Sequence, residues 1–169
     1  MSTQSTATTQ DTLFAKDIPG WESWVIEHAC RDADYMRRAG SFAYSPTDPR
    51  WQRTPDKLFK ETQNYWAAVK ERLCTLFVDW ELYQDTEAKE DKCFGWFWFI
   101  PSVEFSDYRL EISLLRYDHW YVSLWGRKHH QIQTEQGKDL IQLLQSLKDL
   151  PKARRLARRV AAAKQAMEK

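Results

Sequence analysis

From Thr54 to Trp80 the apolar residues return at helical spacing. Leu58, Phe59, Thr62, Tyr65, Trp66, Val69, Leu73, Leu76, Phe77 and Trp80 all fall on one face at about 100° per residue. The start is marked as well: Thr54 is a capping residue, Pro55 suits the first helical position, and Asp56 complements the positive end of the dipole. This is the strongest periodic signal in the chain, and it predicts a long helix over residues 55–82. Its apolar stripe has to be covered by the rest of the sequence.

An earlier helix is predicted after Pro19-Gly20. In WESWVIEHACRDADYMRRAG, residues Trp21, Trp24, Val25, Ala29, Tyr35, Met36 and Ala39 share one arc, and Gly40 stops the run. Residues 1–12, rich in Ser, Thr and Gln, read as a disordered lead, and SFAYSPTDPRWQR reads as a loop. Beyond the long helix, QDTEAKEDK (84–92) carries six charges and reads as a solvated turn.

Three strands are expected next, Cys93–Ile100, Tyr108–Tyr117 and His119–Gly126, with connections short enough for an antiparallel meander. The chain then turns at GRKHHQ. A third helix is expected from Thr134 or Gln136, with Leu140, Ile141, Leu143, Leu144, Leu147 and Leu150 on its apolar face, and Pro151 restarts a fourth. The predicted fold class is therefore α+β: a three-stranded antiparallel β-meander flanked by two N-terminal and two C-terminal helices, in the order ααβββαα. Residues 13–150 form a single domain in this reading, followed by a basic amphipathic helix at 151–169.

The strands differ in how they divide between two faces. In the second, Tyr108, Leu110, Ile112 and Leu114 form a core face opposite Arg109, Glu111, Ser113 and Leu115; in the third, Trp120, Val122 and Leu124 oppose His119, Tyr121, Ser123 and Trp125. The first strand, CFGWFWFIP, is aromatic on both sides, so whichever set turns inward leaves rings beside Arg109, Tyr121 and Trp125. Such a surface suits single-stranded nucleic acid, because every base has a π-face and Arg supplies cation–π contact and phosphate pairing. The alternative is a helix laid over this second face, which would make the aromatics plain core.

Charge is distributed unevenly. Seven Lys or Arg against one Glu give residues 151–169 a charge of +6, and since the chain carries +1 in total, residues 1–150 carry −5. On a helical wheel Ala153, Leu156, Ala157, Val160 and Met167 form an apolar seam, with Lys152, Arg154, Arg155, Arg158 and Arg159 across most of the remainder. That helix can dock by its seam and offer charge to phosphates. Its other uses are pairing with an acidic body or partner, a calmodulin-like target, or a membrane surface, for which the seam is too rich in Ala. Arg127 and Lys128, in the RKHH loop, are further phosphate candidates.

Little in the chain points to catalysis. His28 and Asp32 sit one helical turn apart and can hydrogen-bond, but no nucleophile accompanies them, and a satisfied polar pair at the edge of the core explains them better. His129-His130 has no third ligand at chelate spacing, and five glycines form no phosphate-cradling loop. Cys30, Cys74 and Cys93 form no metal or redox pattern and read as reduced thiols of a cytoplasmic protein. No apolar run reaches the roughly 18 residues of a membrane span, and no signal-peptide pattern is present. The expectation is a non-enzymatic, cytoplasmic binding protein without cofactor or metal. Its partner is nucleic acid, single-stranded or RNA for preference, or a nucleoprotein complex, contacted through Arg109, Tyr121, Trp125, Arg127, Lys128, Lys152, Arg154, Arg155, Arg158 and Arg159. The rival expectation is a protein–protein module of inhibitor, immunity or adaptor type, anchored by exposed Trp and Tyr.

Overall fold

In a computed structural model, which describes residues 11–26, 55–85, 95–101, 107–115 and 118–169, the apolar stripe of the long helix lies on the aromatic strand. The elements run as a 3-10 turn at Ala15–Asp17, a helical segment α1 at 21–26, helix α2 (Pro55–Leu76), strands β1 (Glu81–Asp85), β2 (Gly95–Ile100), β3 (Arg109–Leu115), β4 (His119–Trp125) and β5 (Gln131–Gly137), and helices α3 (Leu140–Ser146) and α4 (Leu150–Met167). All five strands pair antiparallel in chain order, β1-β2-β3-β4-β5. The class is α+β, as expected. The count of strands is five rather than three, and the order ααβββαα is corrected accordingly.

Both additional strands are edges. β1 takes over where the long helix was expected to continue to residue 82. The helix instead ends at Leu76, and the chain turns through Phe77 and Trp80, with Trp80 N–H donating to Phe77 C=O at 3.0 Å. Phe77 and Trp80 stay buried, their rings 5.8 Å apart, so the apolar period outlasts the helix. β5 occupies the stretch QIQTEQG, where a helix start was expected. Its core-side position Gln133, opposite Leu124, is polar, and its side chain accepts from Lys148 N–H at 2.9 Å and donates to Ser146 C=O at 2.8 Å. It thereby ties down the α3–α4 junction instead of filling the core. Helix α3 begins six residues after Thr134, capped by Asp139, whose carboxylate accepts from Ile141 N–H at 3.1 Å.

The core lies between one sheet face and the helices. Phe97 and Phe99 of β2, Leu110, Ile112 and Leu114 of β3, and Trp120, Val122 and Leu124 of β4 are all buried on that face. The two-way division expected for β3 and β4 therefore holds, with Tyr108 only half-buried at the margin. Aromatic contacts run from the N-terminal segment to the sheet: Trp24 stacks on Tyr65 at 5.7 Å, Tyr65 meets Trp66 edge-on at 5.4 Å, Trp66 reaches Phe97 at 6.4 Å, and Phe77 lies 5.1 Å from Phe99. Truncating a wholly buried member such as Ile112 to Ala costs about 2–5 kcal/mol. One or two such losses approach the whole stability of a domain.

The N-terminal segment is held by polar contacts. Leu13 exchanges bonds with the start of α3, its N–H donating to Asp139 Oδ1 at 3.0 Å and its C=O accepting from Leu140 N–H at 2.9 Å. Tyr65 Oη donates to Ala15 C=O at 3.0 Å, and burial pushes the phenol well above its ordinary value. Gly20 has φ +94° and approaches α2 so closely that a Cβ there would stand 3.0 Å from Tyr65 Cβ, so both its conformation and its position require glycine.

Helix α4 packs through Leu150, Ala153 and Ala157; the two alanines belong to the seam read from the wheel, Leu150 was expected on the third helix instead, and Met167 is 86% exposed and does not belong to the seam. Arg154 reaches across to α2, donating to Leu76 C=O at 3.1 Å with its guanidinium 4.6 Å from the centroid of Phe77. Lys164 pairs with Glu81 on β1. No described helix is long and apolar enough to cross a membrane. Residues 1–10 of the lead expected at 1–12, the pair His28 and Asp32, the later part of the first predicted helix with Cys30, the loop expected at SFAYSPTDPRWQR, and most of the charged run with Cys93 lie outside the described residues.

Candidate nucleic-acid interface

The connection between β4 and β5 is built tightly. Gly126 N–H donates to His130 C=O at 2.7 Å and His130 N–H to Arg127 C=O at 3.2 Å, and Lys128 at the tip takes a left-handed φ of 56°. A Cβ on Gly126 would stand 3.1 Å from Ile132 Cδ1. This folding places Arg127 and His130 on the rim of a cavity of about 730 Å³ whose opposite rim is one flank of α4. Tyr108, Ile132 and Leu156 contribute its apolar lining, and α4 contributes Lys152, Arg155 and Arg159.

Charge in this cleft is strongly one-sided. Arg127 grips Asp107 in a two-pronged bridge, Nε to Oδ1 and Nη2 to Oδ2 both at 2.7 Å, and the guanidinium holds the Asp107 carboxyl below the usual carboxylate range. Asp107 is the one carboxylate on the cleft wall among the described residues, and its charge is matched by Arg127. Among the described lining residues, none other offsets the positive charges of Lys152, Arg155 and Arg159. Three cations around one concavity raise the local positive potential, which favours anions.

The residues expected to act together on α4 divide between two flanks. Lys152, Arg155 and Arg159 line the cleft, while Arg154 and Arg158 line a separate hollow of about 570 Å³ beside Leu76, Leu144 and Leu150. Arg154 is half-buried and committed to α2, and burial lowers its pKa; Arg158 Nε lies 3.5 Å from Arg154 C=O. Lys128 is exposed and is not part of the cleft wall.

The remaining expected residues, Arg109, Tyr121 and Trp125, lie on the second face of the sheet, opposite the core. Register puts Trp98 of β2, Arg109, Glu111 and Ser113 of β3, and Tyr121, Ser123 and Trp125 of β4 on that face. Trp98, Tyr121 and Trp125 are half-buried, and none of the three belongs to the core cluster into which α2, α3 and α4 pack. Of the two arrangements compatible with the sequence, the described helices therefore adopt the one that gathers them on the core side.

This second face is organised. Trp98 and Trp125 meet at 6.2 Å with planes inclined by 53°, and the Arg109 guanidinium sits 5.6 Å from the Trp98 centroid. Gln131 donates to Ser123 Oγ at 2.8 Å and to Tyr121 Oη at 3.4 Å and also contacts Thr134, whose hydroxyl lies 3.0 Å from Ser123 Oγ. His119 Nε2 and Gln136 Oε1 are 3.1 Å apart. Glu111 sits between β2 and β4, opposite Trp98 and Ser123; burial raises its pKa, and the Trp125 indole N–H and Ser113 hydroxyl partly offset that rise. The Trp125 Nε1–H is buried and faces Glu111 without reaching ordinary hydrogen-bond geometry.

Cleft and face adjoin at one end of the sheet. Arg109 pairs with Trp125 across β3 and β4, and their chain neighbours Tyr108 and Gly126 line the cleft. Sequence reasoning passed over Tyr108, placed in the core by alternation, and Asp107 and His130, which lie in connections. Trp98 is one of the strand-one aromatics expected beside Arg109, Tyr121 and Trp125, and Glu111 shares the expected face of Arg109; the pattern left open only which strand-one set turns outward. Among the described residues no group of three or more His, Cys, Asp or Glu is placed to hold a metal ion. Compared with protein-family models, curated proteins and solved structures, the chain matches none of them.

Proposed function

We propose that this chain is a non-catalytic, cytoplasmic protein that binds single-stranded nucleic acid, alone or within a nucleoprotein complex. The observation that carries the reading is the convergence of Arg127, Lys152, Arg155 and Arg159, from two distant parts of the sequence, on one cavity adjoining the Trp98–Trp125 surface. In this arrangement the cleft takes backbone phosphates. A strand leaving it at Tyr108 and Gly126 reaches Arg109, Trp98 and Trp125, where unpaired bases can stack. Duplex is disfavoured because its bases are already stacked and present no free π-face to a sheet.

The test is titration of labelled single- and double-stranded oligonucleotides at low salt with the full chain and with an Arg155→Glu/Arg159→Glu variant. The expected result is preferential single-strand binding that the double reversal abolishes. The reading falls if neither form binds, or if reversing both arginines changes nothing. Retention of a nuclease-resistant protein partner with affinity insensitive to salt would replace it with the protein–protein module, in which the same Trp and Tyr side chains serve as anchors.

A further inference from the structure

The second face carries a feature that phosphate binding does not use: a carboxylate set among aromatic rings. Glu111 lies directly across from Trp98 on β2 and from Ser123 on β4, with Trp125 diagonal to it. A negative charge on a surface that meets a polyanion is unfavourable unless it is matched to a particular group of donors. We propose that Glu111, framed by Trp98 and Trp125, is a guanine-selective subsite, an inference that rests on the single-strand reading above.

The chemistry of the bases selects among them. An ionised carboxylate accepts only, with about four lone-pair positions, and here the Trp125 N–H and Ser113 O–H address at most two of them. The remaining positions call for a ligand with two adjacent donors. On its Watson–Crick edge guanine offers N1–H and the N2 amino group side by side. Adenine and cytosine each offer one amino group beside an acceptor, and uracil or thymine one N–H between two carbonyls, so each of these sets a lone pair against the carboxylate. Burial raises the Glu111 pKa, and the two donors within the protein offset only part of that rise. A base stacked against Trp98 or Trp125 brings its edge to the middle of the face, where Glu111 stands.

The test compares the full chain on single-stranded oligonucleotides identical except at one central base, which is guanine, hypoxanthine (guanine without the N2 amino group) or adenine. Guanine is expected to bind tighter than either by on the order of tenfold, the discrimination a bidentate base contact supplies. Glu111→Gln, which presents one donor and one acceptor, is expected to erase the ratio. Equal affinity of the wild-type chain for all three bases overturns the inference while leaving single-strand binding intact, and so does a ratio unchanged in Glu111→Gln. Failure to bind any of the three removes the nucleic-acid reading itself. The comparison of bases on the wild-type chain needs no variant, so it stands however Glu111→Gln folds.

Discussion

The salt dependence of oligonucleotide binding follows from the charges counted in the cleft. Asp107 matches Arg127, which leaves Lys152, Arg155 and Arg159 to displace counterions from a bound strand. At about 0.7 counterion per single-strand phosphate contact, three contacts give a slope of about −2.1 for the logarithm of the binding constant against the logarithm of salt. Raising salt from about 50 to about 200 mM should then weaken binding roughly 18-fold. Replacing Arg155 and Arg159 together by Ala leaves one such contact, a slope of about −0.7 and a loss of only about 2.6-fold over the same range. Fluorescence anisotropy of a labelled oligonucleotide across a salt series measures both slopes. Arg158→Ala, on the other flank of α4, should leave the slope at the wild-type value. The reasoning is refuted if the double variant keeps the wild-type slope, or if Arg158→Ala lowers it as much as either cleft arginine does.

Three substitutions bear on stability. Tyr65→Phe removes one of the two bonds to Ala15 C=O, which keeps Ile18 N–H at 3.3 Å, so urea denaturation should show a loss of about 0.5–1.5 kcal/mol. Because burial raises the phenol above its ordinary 10.0, the folded state resists its ionisation; stability is held below pH 10.0 and lost as pH rises above it, and Tyr65→Phe should abolish that alkaline decline. Glu111 behaves in the same sense at lower pH: its carboxyl is raised from 4.5, so its contribution is full below that value and falls as pH climbs through the raised one. Thermal melts of Glu111→Gln should therefore be flatter than wild type from pH 4.5 upward and no less stable at neutrality. Arg154→Met should cost about 1–2 kcal/mol in denaturant by uncapping Leu76 and leaving Phe77, with no change in the salt slope of binding.

The legible parts of the fold are those where burial writes a period. Leu110, Ile112, Leu114 and Trp120, Val122, Leu124 alternate because one side of β3 and β4 meets the helices, and those strands lie within two residues of their expected limits. The edges β1 and β5 escape the same reading because an outer strand has little to bury: among the described residues, Leu82 and Ile132 are their partly buried apolar side chains packed on the core. Gln133 shows the physical reason, since it meets the helices with hydrogen bonds where an inner strand would use a methyl group. At the end of α2 the opposite occurs, because Phe77 and Trp80 keep the helical period while the backbone has already turned.

The site divides in a similar way. The basic surface of α4 is plain in the sequence, but a wheel cannot say which side of the seam meets which neighbour. The fold turns Arg154 onto α2 and Arg155 and Arg159 toward the β4–β5 connection. Arg127 and Asp107 are twenty residues apart and join only because β3 and β4 run side by side. The double-sided aromatics of CFGWFWFIP resolve in the same manner, Phe97 and Phe99 inward and Trp98 toward Trp125 and Arg109.

The central claim is that cleft and aromatic face bind one strand together. It is tested most directly by following Trp indole N–H and Arg Nε–H resonances in a ¹⁵N-labelled chain during titration with a single-stranded oligonucleotide. Trp98, Trp125, Arg155 and Arg159 should shift together along one binding curve, with Arg154 and Trp24 unmoved. Shifts confined to Arg154 and Arg158, or a saturated complex in which Trp98 and Trp125 keep their free positions, would contradict it.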